Sequence, residues 1–187
     1  MNLRSYCTVI LTRIIYGELS ITQATKQLKS KQFSQQEQSK ILFLIYGVIR
    51  RYYSLSFTIN LYLTKKIRAK DKDIECLLLL MTFQLLHTNT PSYAAISENV
   101  QVARILKKPW ATGMINAIGR SIIRQEHTIP DKFPEEAIYE HPTWMIEMIR
   151  KDWPDFWEKI LTENNAHAPF TIRTITKNIK HENYKIA

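Results

Sequence analysis

Glycine is nearly missing from this chain, with 4 in 187 residues. Tight hairpins need residues that tolerate positive φ, so little room is left for a sheet-rich fold. A glycine-rich loop after a strand, the usual cradle for a phosphate or cofactor, is excluded. Cysteine is scarcer still, at two residues. Cys7 and Cys76 both fall inside apolar helical patterns, which excludes a disulfide framework and fits buried thiols in a reducing cytoplasm. The five histidines, at 87, 127, 141, 167 and 181, meet no His, Cys or Asp at metal-ligand spacing. No metal is therefore expected. Long hydrophobic runs are also lacking. The stretch Ile74 to Leu86 contains Glu75, Thr82 and Gln84 and is too short to span a bilayer. Arg13 interrupts the one apolar stretch near the start, so no signal peptide is expected. A soluble cytoplasmic protein with no membrane partner is the expectation.

Acidic residues are depleted in one part of the chain only. Residues 1–128 hold 18 Lys and Arg against 7 Asp and Glu, a net +11, whereas residues 129–187 hold 8 against 10, a net −2. That positive excess is larger than solubility alone requires. It points to a polyanion as the partner of the first part.

What the chain does have is helical periodicity. Leu3, Cys7, Ile10 and Ile14 form a buried stripe on a first helix that Gly17 stops. Ser20 caps a short helix with Ile21, Ala24 and Leu28 inward. Ser34 and Glu37 form a capping box for a long helix with Ile41, Leu42, Ile45, Val48, Ile49 and Tyr52 inward. A fourth helix covers about 55–63, and a charged turn follows at 65–73. The helix 74–87 is apolar nearly all round, which places it at the centre of the fold. Thr90-Pro91 precedes a helix beginning at Ser92, Lys107-Lys108-Pro109 ends it, and a last helix of the body runs to about Gln125. The predicted architecture is an all-α orthogonal bundle over residues 1–128. Pro130, Pro134 and Pro142 mark an extended linker over 128–142. Short helices at about 143–151 and 155–163 and a strand over 170–176, FTIRTIT, should follow. A lone strand has no partner here, so residues 129–187 are expected to be linker helices and the start of a further domain in a longer protein.

Candidate RNA contacts follow from helix geometry. Arg50 lies opposite the core stripe of the third helix and Arg51 lies on its flank. Asn116, Arg120 and Arg124 repeat every four residues and face away from Met114, Ile118 and Ile122, making a polar ridge suited to phosphates and unpaired bases. Lys65, Lys66 and Arg68, with Lys70 and Lys72 beyond, form a compact cation cluster, and Lys107 and Lys108 form another. Arg4 and Arg13 flank the first helix's stripe on opposite sides, and only one of them should join a given surface. Glu98, the single acid between Glu75 and Glu126, is expected to accept bonds from a neighbouring helix or an arginine. The tail's prolines and tryptophans are expected to pack between domains.

The segment Pro91 to Arg124, PSYAAISENVQVARILKKPWATGMINAIGRSIIR, carries Ser-Glu-Asn-Val, then Lys-Lys-Pro, then Gly-x-Ile-Asn-x-x-x-Arg. This order resembles the C-terminal half of the NusB-like helical domain. Together with Leu3-Arg4, His141-Pro142-Thr143-Trp144 and Glu163-Asn164-Asn165, it resembles the N-terminal region of the small-subunit ribosomal RNA (cytosine-C5) methyltransferase family. Trp110 and Thr112, and Thr174 to Lys177 where the expected strand leaves, do not follow the pattern closely. The resemblance implies a NusB-like fold, small-subunit ribosomal RNA as partner, and Arg4 in preference to Arg13 as an RNA contact. It also implies that a C-terminal methyltransferase domain supplies the paired cysteines and the S-adenosylmethionine site. With Cys7 and Cys76 on buried faces, no catalytic residue and no cofactor are expected within these 187 residues. The alternatives are a free-standing NusB-type transcription antitermination factor and a helical protein-interaction module.

Overall fold

The computed structural model describes residues 2–124, 133–166 and 168. Its first three helices begin where local side chains satisfy the orphan amides of a first turn. Asn2 accepts from the Arg4 amide to open α1 (Leu3–Ile15). Reciprocal capping boxes, Ser20 with Gln23 and Ser34 with Glu37, open α2 (Ile21–Lys29) and α3 (Gln35–Arg50). Gly17, at φ 80°, takes the left-handed turn after α1 that a side chain would resist. A single residue, Arg51, separates α3 from α4 (Tyr52–Tyr62), which starts earlier than the sequence pattern indicates. A 3-10 turn at Ala69–Asp71 leads into α5 (Lys72–His87), and α6 (Ser92–Ile105) and α7 (Ala111–Arg124) complete the body.

α5 is the axis, as its all-round apolarity requires. Ile74 and every residue from Cys76 to Gln84 are buried, and α1, α3, α4, α6 and α7 all pack on this helix. Two crossings depend on glycine. A Cβ at Gly47 would overlap the Phe83 ring, and one at Gly119 would sit 2.8 Å from Ile96 Cγ1 and 3.2 Å from Met81 Sδ. A helical glycine costs roughly 1 kcal/mol against alanine, and these two offset it by making room for the Phe83 ring and for the Ile96 and Met81 side chains. Cys7 and Cys76 are buried free thiols, and desolvation pushes both up to about 12. Thiolate chemistry is closed to them at neutral pH.

The expected linker is not all extended. Behind Pro134, residues Glu135–Tyr139 form the short helix α8. Pro134 is its extended N-cap, and the Pro134 carbonyl accepts from the Ala137 and Ile138 amides. Glu140 then takes a left-handed conformation, φ 55°, which turns its carboxylate onto the start of α4. It accepts from the Tyr53 and Ser54 amides at 3.1 and 3.2 Å and from the Ser54 hydroxyl. Since α4 has no side-chain cap of its own, this carboxylate from 86 residues away supplies one. α9 (Thr143–Asp152) and α10 (Trp157–Asn165) follow, close to the predicted bounds. His141 joins the Tyr139 carbonyl to the Asn164 amide, and Trp157 packs edge-on against Tyr139 beneath the Arg150 guanidinium. Trp144 and Trp153, with Phe156, stay exposed on these helices. The predicted strand at 170–176 and the end of the body near Gln125 lie outside the described residues.

Candidate nucleic-acid interface

The cations singled out in the sequence divide into two groups, those paired inside the fold and those left on its surface. Arg4 belongs inside, and this departs from its expected place at the RNA. The residue is only 8% exposed. The Nε donates to Gln84 Oε1 at 3.3 Å, and Nη1 pairs with Glu98, which confirms an arginine as that acid's partner. Asn99 donates to the same Gln84 oxygen at 3.0 Å, tying α1, α5 and α6 together through one polar cluster. The physical reason is the width of α1's buried face. Residues 4–8 are all buried because α3, α5 and α6 surround this turn, so no flank remains for solvent.

Lys108 is also paired. Lys107 adopts a left-handed conformation, φ 59°, at the end of α6, and this swings Lys108 back toward the 65–71 loop. Its ammonium lies 2.9 Å from Asp71, 2.5 Å from Asp73 and 3.1 Å from the Lys70 carbonyl. Desolvation opposes this charge, but the two carboxylates outweigh it and hold the Lys108 pKa above the ordinary lysine value.

Arg50, Arg51, Lys65, Lys66, Arg68, Lys107, Arg120 and Arg124 are exposed, and Asn116 is half-buried. Among the described residues none of these cations has a carboxylate within 4.0 Å. Ile118 and Ile122 are buried on α7 while Arg120 and Arg124 point outward, the phase that the helical wheel gives.

Two concave surfaces flank the first turn of α7 and gather part of this set. A cleft of about 490 Å³ lies between the loop after α4 and the turn before α7. Lys65, Lys66, Arg68 and Lys70 line one side of it, and Trp110 and Met114 line the other. An open groove of about 690 Å³ runs between α6 and α7, with Tyr93, Gln101 and Arg104 on one wall and Asn116 and Arg120 on the other. Among the described residues no acid lines that groove. Arg50, Arg51, Lys107 and Arg124 line neither cavity.

Sequence reasoning missed Tyr93, Gln101, Arg104 and Trp110 as members of this surface. The first three had a signal: spacings of eight and three place them on one outward stripe of α6. Trp110, 57% exposed in a turn, had none beyond its departure from the family pattern.

The architecture is that of an all-α bundle packed around one central helix, with basic concavities at its surface. Residues 1–124 match the NusB family, and this chain belongs to that family. Residues 141–186 match a second family, described as Methyltr_RsmF/B-like, ferredoxin-like domain. Curated relatives include the probable ribosomal RNA small subunit methyltransferase B of Coxiella burnetii, 36% identical over 187 residues, or 98% of this chain and 42% of that protein. The ribosomal RNA small subunit methyltransferase B of Pseudomonas syringae pv. tomato is 31% identical over 98% of this chain and 41% of its own length. That of Proteus mirabilis is 29% identical over 98% and 43%. The chain thus spans less than half the length of these relatives. Among the described residues no helix is long and apolar enough to cross a membrane, and no group of three metal-ligating side chains comes together.

Proposed function

We propose that this chain is the RNA-binding N-terminal region of a small-subunit ribosomal RNA (cytosine-C5) methyltransferase. In this reading residues 1–128 grip the ribosomal RNA, and a methyltransferase domain elsewhere in the intact protein binds S-adenosylmethionine and carries out the chemistry. Residues 129–187 link the two and begin the ferredoxin-like domain. The exposed Trp144, Trp153 and Phe156 support that role, since an apolar helix face of this kind suits the cover of a neighbouring sheet.

The observation that carries the RNA reading is the division of the cations. Arg4 and Lys108 are neutralised internally, whereas Lys65, Lys66, Arg68 and Arg120 line concave surfaces without a carboxylate partner among the described residues. Unpaired guanidinium and ammonium groups in a concavity focus potential and attract phosphates. Arg50, Arg51, Lys107 and Arg124 extend the contact, and Asn116 offers an amide to a base edge. The match of residues 141–186 to a methyltransferase-associated domain favours this reading over a free-standing antitermination factor.

Gel shift with small-subunit ribosomal RNA fragments at graded salt tests it. Neutralising four to six phosphates should give a log–log slope of roughly −3 to −5. Changing Arg120 and Arg124 together to Glu should weaken binding with little loss of melting temperature. A flat salt response, or no binding at low salt, would refute the reading.

A further inference from the structure

We infer that the cleft between the 62–71 loop and the first turn of α7 is a pocket for one unpaired nucleotide of RNA, its base stacked on Trp110 and its phosphates held by Lys65, Lys66 and Arg68. This rests on the RNA reading above and narrows it to a place and a state of the strand.

Three observations support it. First, Trp110 is 57% exposed although the buried core lies one residue away at Ala111. It forms a wall of a cavity of about 490 Å³, within the range of volumes that hold small molecules. A large aromatic side chain left half in water beside cations is the usual platform for an unstacked base. Second, the opposite wall holds Lys65, Lys66, Arg68 and Lys70, and among the described residues its single acid is Asp71. That carboxylate is already bound by Lys108 at 2.9 Å, so it adds little negative field to the cleft. The potential inside is therefore that of the cations. Third, the end of the loop that runs into α5 is held in place before any ligand arrives. Lys108 bonds the Lys70 carbonyl and both Asp71 and Asp73, closing a link across 35 to 38 residues of sequence. A wall anchored at this end in advance lowers the entropy cost of ordering the loop on binding.

A base paired in a duplex cannot turn its face onto Trp110, so the pocket selects single strands, bulges or ends. An acidic peptide would use the cations but gain nothing from a stacking platform.

The test uses the 187-residue chain and three probes: a ten-nucleotide oligouridine, the same oligomer with abasic positions, and an RNA duplex. Trp110→Ala should weaken oligouridine binding between about five- and a hundredfold, from the usual strength of base–aromatic stacking. It should leave duplex binding and the salt slope unchanged. Trp110→Phe, which keeps a stacking face, should recover most of the affinity, and the abasic oligomer should bind both variants and the parent alike. Lys65→Gln with Lys66→Gln should instead flatten the salt slope by about 1.4, or 0.7 per phosphate on a single strand. If Trp110→Ala binds oligouridine like the parent while the salt slope stays steep, the pocket is refuted and the broader RNA reading stands. If the variant loses duplex and single-strand affinity equally at an unchanged melting temperature, stacking is likewise refuted. If the parent chain binds none of the three probes at low salt, both fall together.

Discussion

Arg4 offers a sharp separation of a structural cation from an RNA-binding one. Arg4→Met keeps most of the side chain's length and apolar stem and removes the guanidinium. The change deletes a buried charge-assisted hydrogen bond to Gln84 and the ion pair to Glu98. Breaking a fully buried pair costs about 3–5 kcal/mol, because the partner is left uncompensated. Here the Glu98 side chain is 38% exposed and can turn to water, and Gln84 Oε1 keeps the Asn99 donor. The loss should therefore approach that of one hydrogen bond to a charged group, about 2 kcal/mol. For a chain of this size 1 kcal/mol moves the melting temperature by about 3 °C, so calorimetry should record a fall of about 6 °C. A cycle with Glu98→Gln would show coupling between the two sites, since the second change should cost little once the first is made. RNA affinity in the same preparation should keep its salt slope, because no phosphate contact is lost. A variant that melts like the parent but whose slope falls by about one phosphate, 0.7 to 0.9 on the log–log scale, would show that Arg4 faces RNA and that the buried cluster is misassigned.

The glycines and the α4 cap give two further tests. Gly113→Ala meets nothing within 4 Å and should raise stability by about 1 kcal/mol through helix propensity, whereas Gly119→Ala, facing Ile96 Cγ1 at 2.8 Å, should lower it by about 1–3 kcal/mol. Thermal melts of the two would expose an error if they moved in the same direction. Glu140→Ala removes the carboxylate that caps α4, a loss of about 1 kcal/mol, so amide exchange at Tyr53 and Ser54 should quicken about fivefold. Unchanged exchange at those two amides would mean that the α8 junction contributes nothing to α4.

The bundle was legible because its signals are local. Ser34 and Glu37 are three residues apart and face each other in any helix that starts there, and the apolarity of 74–87 needs no partner to be read as burial. Periodicity also gave the outward phase of Arg120 and Arg124 on α7. What stayed hidden depends on residues far apart in sequence. Lys107 and Lys108 are neighbours of one type, yet one is exposed and the other is bound to Asp71 and Asp73. Nothing within ten residues of Lys108 distinguishes them. The difference arises where α6 ends in a left-handed turn and where the 3-10 turn and the start of α5 place Asp71 and Asp73, and it exists only after the bundle has closed. Arg4 was misplaced for the same reason. A seam of four apolar residues marks one face of α1 but cannot show that three helices surround it. The α4 cap from Glu140 was equally unreadable, since 86 residues separate donor and acceptor. Charge counts therefore located the basic half of the chain but not its contact surface. In the proposed reading the surface is found by subtraction: among the described residues, the cations that tertiary packing has not matched with an acid are the candidates to meet a phosphate.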